Sequence, residues 1–123
     1  MTQTLFHGTT VAGLVGKVIL PAVRTGAKVL YVAETDATYA YATTDESTGW
    51  HWAEKAWNAT DNGIPRVYEV RPIDPHDVEQ DPTTYPDGRS RGNFDGDRRS
   101  HKGFRVIREV PMPDSMGDPE DWA

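Results

Sequence analysis

Residues 6–9 of this chain read Phe6-His7-Gly8-Thr9 and follow Leu5, close to the start of the sequence. Two apolar residues and then an imidazole predict a short strand that ends at the glycine, because glycine interrupts regular β structure and allows close approach of the backbone. A lone histidine in such a place is more often a packed side chain than a functional one. Whether His7 has a function therefore depends on which residues from the rest of the chain lie beside it.

Two later segments supply partners for that histidine. One is Val29-Leu30-Tyr31-Val32-Ala33, whose β-branched and aromatic residues predict the clearest strand of the chain, over residues 28–33. The other is Glu79-Gln80-Asp81-Pro82, which places two carboxylates two residues apart in a proline-rich loop. A His-Gly pair on one strand, a tyrosine on a second and a carboxylate on a third could hold a nicotinamide nucleotide and polarise its glycosidic bond.

Taken in order, these segments resemble the ADP-ribosyltransferase family, in the branch with a histidine, a tyrosine and an acidic residue that includes diphtheria toxin, the poly-ADP-ribose polymerases and the small rifamycin ADP-ribosyltransferases. The resemblance is closest to the rifamycin enzymes and spans about residues 5–110. It continues through Arg66-Val67-Tyr68-Glu69-Val70-Arg71-Pro72, Asp77-Val78-Glu79-Gln80-Asp81-Pro82, Arg99-Ser100 and Phe104-Arg105-Val106-Ile107-Arg108-Glu109-Val110. It implies an α+β fold with a split, mostly antiparallel β-sheet, an NAD cleft and few short helices.

The activity implied by the resemblance is that of a mono-ADP-ribosyltransferase, which cleaves NAD+ at the nicotinamide–ribose bond and transfers ADP-ribose to an acceptor. The acceptor is a small molecule, a protein or a nucleic acid. Two alternatives stay open: an NAD+ glycohydrolase, which gives the ribosyl group to water, and a non-catalytic module that binds an ADP-ribose-containing ligand or a partner protein. NAD+ would be the co-substrate, and no metal is expected, because the histidines lack metal-ligand partners at a known spacing.

The resemblance implies three catalytic residues, His7, Tyr31 and Asp81. Asp81 is expected to lie near the positive charge that develops on the ribose, and Glu79 is the alternative carboxylate because it is only two residues away. His7 is expected to donate a hydrogen bond to a ribose hydroxyl from one ring nitrogen while the backbone holds the other. Tyr31 is expected to stack on the nicotinamide ring.

The residues implied to bind the nucleotide are His7, Gly8, Thr9, Tyr31, Thr38 and Tyr41. Gly8 would let the backbone come close enough to pair with the carboxamide of nicotinamide. Thr38 and Tyr41 resemble the serine and tyrosine that close the nicotinamide pocket in the polymerase members, and Tyr39 competes with Tyr41 for that role. The Thr or Ser that usually stands two residues after the family's strand tyrosine is Ala33 here.

The remaining sequence predicts a helix over residues 36–43, a polar linker over 44–48 and a second helix over 49–59. Three residues at helical spacing share one face of that second helix: Trp50, Ala53 and Trp57. Strands are predicted over residues 66–70 and 104–110 from their β-branched and aromatic content.

Proline and glycine dominate what lies between those two strands. The four prolines of residues 71–87 remove backbone donors and predict a loop with extended pieces. The stretch over residues 87–103, rich in glycine, aspartate and arginine, predicts a mobile excursion before the last strand.

At 123 residues the chain has the size of one domain, which we place at residues 1–110, followed by a poorly ordered tail over 111–123. The absence of cysteine excludes disulfides, thiolate nucleophiles and cysteine-ligated metals. The net charge of −6 argues against indiscriminate binding of nucleic acid. No segment has the pattern of a signal peptide or a membrane span, so we expect a cytoplasmic monomer without membrane contact.

Overall fold

The computed structural model describes residues 4–25, 36–60 and 63–123. Within these ranges the protein has an α+β fold built on one seven-stranded sheet in which all neighbouring strands are antiparallel. The strands are β1 (Leu5–Thr9), β2 (Val18–Ile19), β3 (Ala40–Thr43), β4 (Arg66–Pro72), β5 (Glu79–Gln80), β6 (Asp97–Ser100) and β7 (Phe104–Val110). Their order in the sheet is β2-β7-β4-β1-β3-β6-β5.

Helices are few. The α-helices are α1 (Ala22–Thr25) and α2 (Glu46–Thr60), and the 3-10 helices are Pro75–Asp77, Asp114–Met116 and Pro119–Trp122. In the part of the chain that the structure describes, no helix combines the length and the hydropathy needed to cross a bilayer.

The central strand β1 is paired unequally on its two sides. On one side it pairs with β4 over its whole length, from Leu5 opposite Val70 to Thr9 opposite Arg66. On the other side its described pairing with β3 consists of Phe6 opposite Thr43. Among the described residues the pairing of β1 with β3 therefore ends before His7, and we refer to this region between the two strands as the β1–β3 opening.

Two apolar clusters cover opposite faces of the sheet. Successive residues of a strand point to opposite faces, so Val67 and Tyr68 of β4 belong to different clusters. The Tyr68 cluster contains Leu5, Ala40, Ala42, Tyr68, Val70, Phe104 and Val106. The Val67 cluster contains Trp50, Ala53, Val67 and Val110, so α2 covers that face.

A β-bulge in β7 lets one strand serve both clusters. Glu69 of β4 is opposite Arg108, but the next residue, Val70, is opposite Val106, so β7 has one extra residue. The extra residue reverses the alternation of side chains, because one position of register moves a side chain to the other face. Val106 and Val110 therefore join different clusters although they are four residues apart.

Helix α2 lies directly on β1 at Gly8. A β-carbon at that position would lie 2.6 Å from the backbone nitrogen of Ala53 and closer still to the carbonyl oxygen of Gly49. Both atoms belong to the backbone of α2, so neither can rotate away. Glycine is therefore required at this position by the packing of the helix, whatever its backbone does for a ligand.

Several sequence predictions are confirmed. The fold is α+β with a mostly antiparallel sheet and few helices. The strands predicted over residues 66–70 and 104–110 are β4 and β7, and the helix predicted over 49–59 is α2. The strand predicted over 28–33, which carries Tyr31, lies outside the described residues.

The helix predicted over residues 36–43 is wrong. Ala40–Thr43 is strand β3, because Ala40 and Ala42 alternate with tyrosines and are buried in the Tyr68 cluster. The feature that suggested a helix cap is a local turn, in which the Asp36 carboxylate accepts hydrogen bonds from the backbone nitrogen of Thr38 at 2.9 Å and from its hydroxyl at 2.8 Å. Aspartate makes such turns outside helices as readily as it caps them.

Two loop predictions are also wrong. The polar linker predicted over residues 44–48 contains the first turn of α2, whose start is bonded to the Asp45 carboxylate through the hydroxyls of Ser47 and Thr48. The mobile excursion predicted over 87–103 contains strand β6, which pairs with both β3 and β5. In both segments polar residues are ordered by hydrogen bonds that composition alone does not reveal.

Residues 111–123 form two 3-10 turns beside α2. The indole Nε1 of Trp57 donates to the carbonyl oxygen of Trp122 at 3.0 Å, and the two ring centroids lie 5.1 Å apart in an edge-to-face arrangement. The division of the chain into a domain over 1–110 and a poorly ordered tail stays a prediction.

We expect Gly8→Ala to lower the free energy of unfolding by about 3 kcal/mol, because the new methyl group forces α2 away from β1. Urea denaturation measures this loss. Gly88→Ala is the control, since Gly88 has a φ of +89° and open space around it, so its cost is limited to the left-handed backbone, about 1 kcal/mol. Equal losses in the two variants would contradict the close contact between Gly8 and α2.

Candidate active site

His7 bridges the β1–β3 opening with its side chain. Its Nδ1 lies 2.8 Å from the carbonyl oxygen of Tyr41. A carbonyl oxygen can only accept a hydrogen bond, so Nδ1 carries the proton. Burial lowers the pKa of His7 below its ordinary value of 6.5, against the opposing effect of this hydrogen bond, so the ring is neutral near pH 7.

The other ring nitrogen of His7 is therefore a hydrogen-bond acceptor. In a neutral imidazole with a protonated Nδ1, Nε2 has a lone pair and no hydrogen. None of the described residues bonds to it. The hydrogen bond expected from the sequence has the opposite polarity here, since a ribose hydroxyl would donate to His7.

The other two residues of the segment have structural partners. Gly8 pairs with Val67 of β4 and leaves room for α2. Thr9 pairs with Arg66, and its hydroxyl accepts a hydrogen bond from the backbone nitrogen of Val11 at 3.2 Å. Nucleotide binding by these two residues stays a prediction.

Tyr41 lies on β3, the strand across the opening from His7. Its phenol oxygen accepts from the backbone nitrogen of Asp36 at 2.7 Å and donates to the Asp36 carbonyl at 3.0 Å. Burial raises the pKa of Tyr41 to about 12, so the phenol stays protonated and these bonds hold the ring in place. Thr43 stands two residues later on the same strand.

Tyr31 lies outside the described residues, so its predicted contact with nicotinamide stays untested. Tyr41 lies on the strand next to β1, and Thr43 follows two residues later. Thr38 is in the turn before β3, where its hydroxyl bonds to Asp36 and its carbonyl bonds to the His101 ring at 3.0 Å. It is not on a helix with Tyr41.

Two carboxylates lie beyond Tyr41 across the sheet. The β3–β6 register places Tyr41 opposite Arg99, and the β5–β6 register places Glu79 opposite Arg99. Residues directly opposite each other share a face, so Tyr41, Arg99 and Glu79 form one row on the sheet. Asp81 follows β5, and its backbone nitrogen donates to the carbonyl of Asp97 at 2.9 Å.

Arg99 connects the two carboxylates. Its Nε donates to Glu79 at 3.1 Å, and its Nη1 lies 3.6 Å from Asp81. Its guanidinium also lies over the ring of Tyr39, 4.1 Å from the centroid, and the His101 ring stacks on Tyr39 at 4.0 Å. The arginine is therefore fixed by contacts on several sides.

Asp81 and Glu79 differ sharply in exposure. The Asp81 side chain is 5% exposed, whereas that of Glu79 is 55% exposed. Asp81 accepts from Arg91 at 2.8 Å and from Asn93 at 2.6 Å, one donor on each carboxylate oxygen. Burial raises the pKa of Asp81, and the hydrogen bond and charge of Arg91 oppose that rise.

Asp97 is a second buried carboxylate close by. It accepts from the Trp52 indole at 3.2 Å and from the backbone nitrogen of Phe94 at 3.1 Å. Burial raises the pKa of Asp97. Through these bonds it fixes α2 against the chain that leads into β6, beside Asp81.

Neither Asn93 nor Asp97 is among the site residues predicted from the sequence. A signal for Asn93 does exist in Tyr85-Pro86-Asp87-Gly88, which is typical of a tight turn that would return the chain toward Asp81. For Asp97 there is no such signal, because its partner on α2 is 45 residues away along the chain.

The site therefore extends across four neighbouring strands, β1, β3, β6 and β5. Three strand spacings of about 4.8 Å separate the His7 strand from the carboxylates, about 14 Å in all. Within the described ranges, no group of three or more potential metal-binding side chains is present.

We expect NMR of the His7 imidazole to show a neutral ring with the proton on Nδ1 at pH 6.5, where an ordinary histidine is half protonated. The reason is that burial lowers its pKa while the Tyr41 carbonyl holds the Nδ1 hydrogen. Long-range nitrogen–proton correlation distinguishes the two tautomers. A proton on Nε2 of His7 would contradict the bridge to the Tyr41 carbonyl.

No protein-family model matches this sequence, and no curated protein matches it. The function of the chain must therefore be inferred from the chemistry of His7, of Asp81 and of the row formed by Tyr41, Arg99 and Glu79.

Proposed function

We propose that this protein is a mono-ADP-ribosyltransferase with an ADP-ribosyltransferase-like split sheet, which uses NAD+ as co-substrate. The observation that carries the proposal is the His7 bridge to the Tyr41 carbonyl across the β1–β3 opening. It leaves the other ring nitrogen as an acceptor at the strand that carries Tyr41, in a sheet whose next strands lead to two carboxylates.

The residues have the chemistry that an NAD+ site needs. Nε2 of His7 can accept a hydrogen bond from a ribose hydroxyl, and the Tyr41 ring, fixed through its phenol, can stack on a planar cation. On the β3 side of β1, no described residue is opposite Gly8 or Thr9, which border the same opening. Arg99 contributes a positive charge within reach of both carboxylates.

In the reaction, the bond between ribose C1′ and the nicotinamide nitrogen breaks, and its electron pair leaves with neutral nicotinamide. A bond forms between C1′ and the acceptor atom, whose proton is released. Positive charge accumulates on the ribose between these two events, so a fixed carboxylate nearby lowers the barrier. Asp81 is the proposed carboxylate, and Glu79 is the alternative.

Tyr41 takes the stacking role in this proposal, in place of Tyr31. Tyr41 is on the strand across the opening from His7 and has Thr43 two residues later, whereas Ala33 occupies the corresponding position after Tyr31. Thr38 would then lie at the rim, in the turn that holds the Tyr41 phenol through Asp36.

A second candidate function is a non-catalytic module that binds an ADP-ribose-containing ligand. The enclosure of Asp81 favours it, because a carboxylate that is 5% exposed and bonded at both oxygens is oriented but poorly accessible. In such a module the same residues would set affinity, and no nicotinamide would be released.

We expect Asp81→Asn to reduce nicotinamide release from NAD+ by about 10²–10³-fold, because the neutral amide no longer stabilises the ribosyl cation. Release is measured with purified protein, with and without cell lysate, using labelled NAD+ to detect modified products. Asp87→Asn is the control, since Asp87 is exposed and pairs with Arg89 outside the row.

Each outcome separates the candidates. If Glu79→Gln abolishes nicotinamide release and Asp81→Asn does not, Glu79 is the carboxylate that stabilises the ribosyl cation. Release without labelling of any lysate component would indicate a glycohydrolase, and binding of NAD+ without release would indicate the non-catalytic module.

We expect Tyr41→Ala to raise the KM for NAD+ by about tenfold, which corresponds to the loss of one stacking contact of about 1–1.5 kcal/mol. Steady-state nicotinamide release measures it, and Tyr31→Ala is assayed in parallel. A larger effect in Tyr31→Ala would return the stacking role to that residue.

A further inference from the structure

Two donors from one loop hold the Asp81 carboxylate from both sides. The Nη1 of Arg91 donates to Oδ1 of Asp81 at 2.8 Å and to the carbonyl of Pro82 at 2.7 Å. The Nδ2 of Asn93 donates to Oδ2 of Asp81 at 2.6 Å and to the same Pro82 carbonyl at 2.9 Å. Each donor therefore joins one carboxylate oxygen to the next peptide group, and we call this arrangement the Asp81 clamp.

A short hairpin brings the two donors back to Asp81. The backbone nitrogen of Arg91 donates to the Thr83 carbonyl at 2.9 Å, and that of Tyr85 donates to the Arg89 carbonyl at 2.8 Å. The bridge between Thr84 and Ser90 lies between these two bonds. Because the hairpin is held by its own backbone, the donors arrive at fixed positions.

Burial makes the clamp effective. The side chains of Arg91 and Asp81 are 9% and 5% exposed, so water competes weakly for their hydrogen bonds. A carboxylate with one donor on each oxygen cannot rotate about its last bond without losing both. Its plane is therefore set before any ligand arrives.

The two donors differ in charge. Arg91 carries a positive charge, which favours the ionised form of Asp81 and opposes the effect of burial on its pKa. Asn93 is neutral, so its main effect is on direction. Among the described residues, the charged and titratable groups that act on Asp81 are Arg91, Arg99, Glu79, Tyr41 and Asp97.

We propose that Arg91 and Asn93 are positioning residues of this site: Asn93 fixes the plane of the Asp81 carboxylate, and Arg91 keeps it ionised. The clamp itself is a property of the chain, and only its use in ADP-ribosyl transfer rests on the proposed function. Neither residue needs to touch the nucleotide.

The first test requires no NAD+. Carbon-13 NMR of the aspartate carboxyls follows the titration of Asp81 in the wild type and in Arg91→Gln, Arg91→Lys and Arg89→Gln. We expect a higher Asp81 pKa in Arg91→Gln, a return toward the wild-type value in Arg91→Lys, and no change in Arg89→Gln, because Arg89 pairs with Asp87 instead. An unchanged Asp81 pKa in Arg91→Gln would overturn the role of Arg91.

The second test uses nicotinamide release. We expect Asn93→Ala to lower kcat by about 10²-fold with KM unchanged, because a misdirected carboxylate affects the transition state more than binding. In Arg91→Gln the acid limb of the pH–rate profile should move to higher pH, because Asp81 then ionises at higher pH. A rise in KM with kcat unchanged would show instead that these residues bind the nucleotide.

The variants also separate the two proposals. If Asp81→Asn retains full turnover, Asp81 is not the catalytic carboxylate. The carboxyl titration would still test whether Arg91 lowers the pKa of Asp81. Removing one partner of a buried ion pair destabilises a fold strongly, so urea denaturation accompanies each variant. If Arg91→Gln does not fold, the neutral change Asn93→Ala and its polar counterpart Asn93→Ser decide the positioning role through kcat.

Discussion

The structure depends on the close contact between Gly8 and helix α2. Strand β1 is central in the sheet, and α2 can cover it only where the strand has no side chain. With α2 in this position, Trp50 and Ala53 pack in the Val67 cluster. The indole of Trp52 then reaches the Asp97 carboxylate on β6. The histidine next to the glycine then points to the opposite face, toward the β1–β3 opening. One small residue thus determines both the packing of the helix and the place of His7.

The site joins two kinds of preorganised group. The imidazole and the phenol are each held by backbone atoms, His7 by the Tyr41 carbonyl and Tyr41 by both backbone groups of Asp36. The carboxylate of Asp81 is held by side chains of a hairpin. A substitution does not remove the backbone groups that hold His7 and Tyr41, whereas it can remove the side chains that hold Asp81.

The strongly patterned elements and the short strand β1 were predictable from the sequence, whereas the short strands β3 and β6 were not. Strands β4 and β7 and helix α2 have enough β-branched or helix-spaced apolar residues to be recognised without tertiary information. Strand β3 has four residues, two of them alanines, and follows an aspartate that suggests a helix cap. Its strand conformation is decided by burial of those alanines in the Tyr68 cluster, which a local pattern does not contain. His7 and Asp81 could be proposed from the sequence because each lies in a short recognisable segment. The row through Arg99 could not, because it depends on the register of the sheet, and the donors Arg91 and Asn93 depend on tertiary contacts that a local pattern does not contain.

The two halves of the site have different chain separations between their partners. Asp81 meets Arg91 and Asn93 across 10 and 12 residues, whereas His7 meets Tyr41 across 34 residues. Closing the longer loop costs about 0.9 kcal/mol more in chain entropy. By this loop entropy alone, we expect the contacts of Asp81 to persist longer than the His7–Tyr41 contact when β1 and β3 separate. Partial unfolding would then release the histidine and tyrosine from each other before it releases Asp81, and a ligand that spans both halves would suppress that opening.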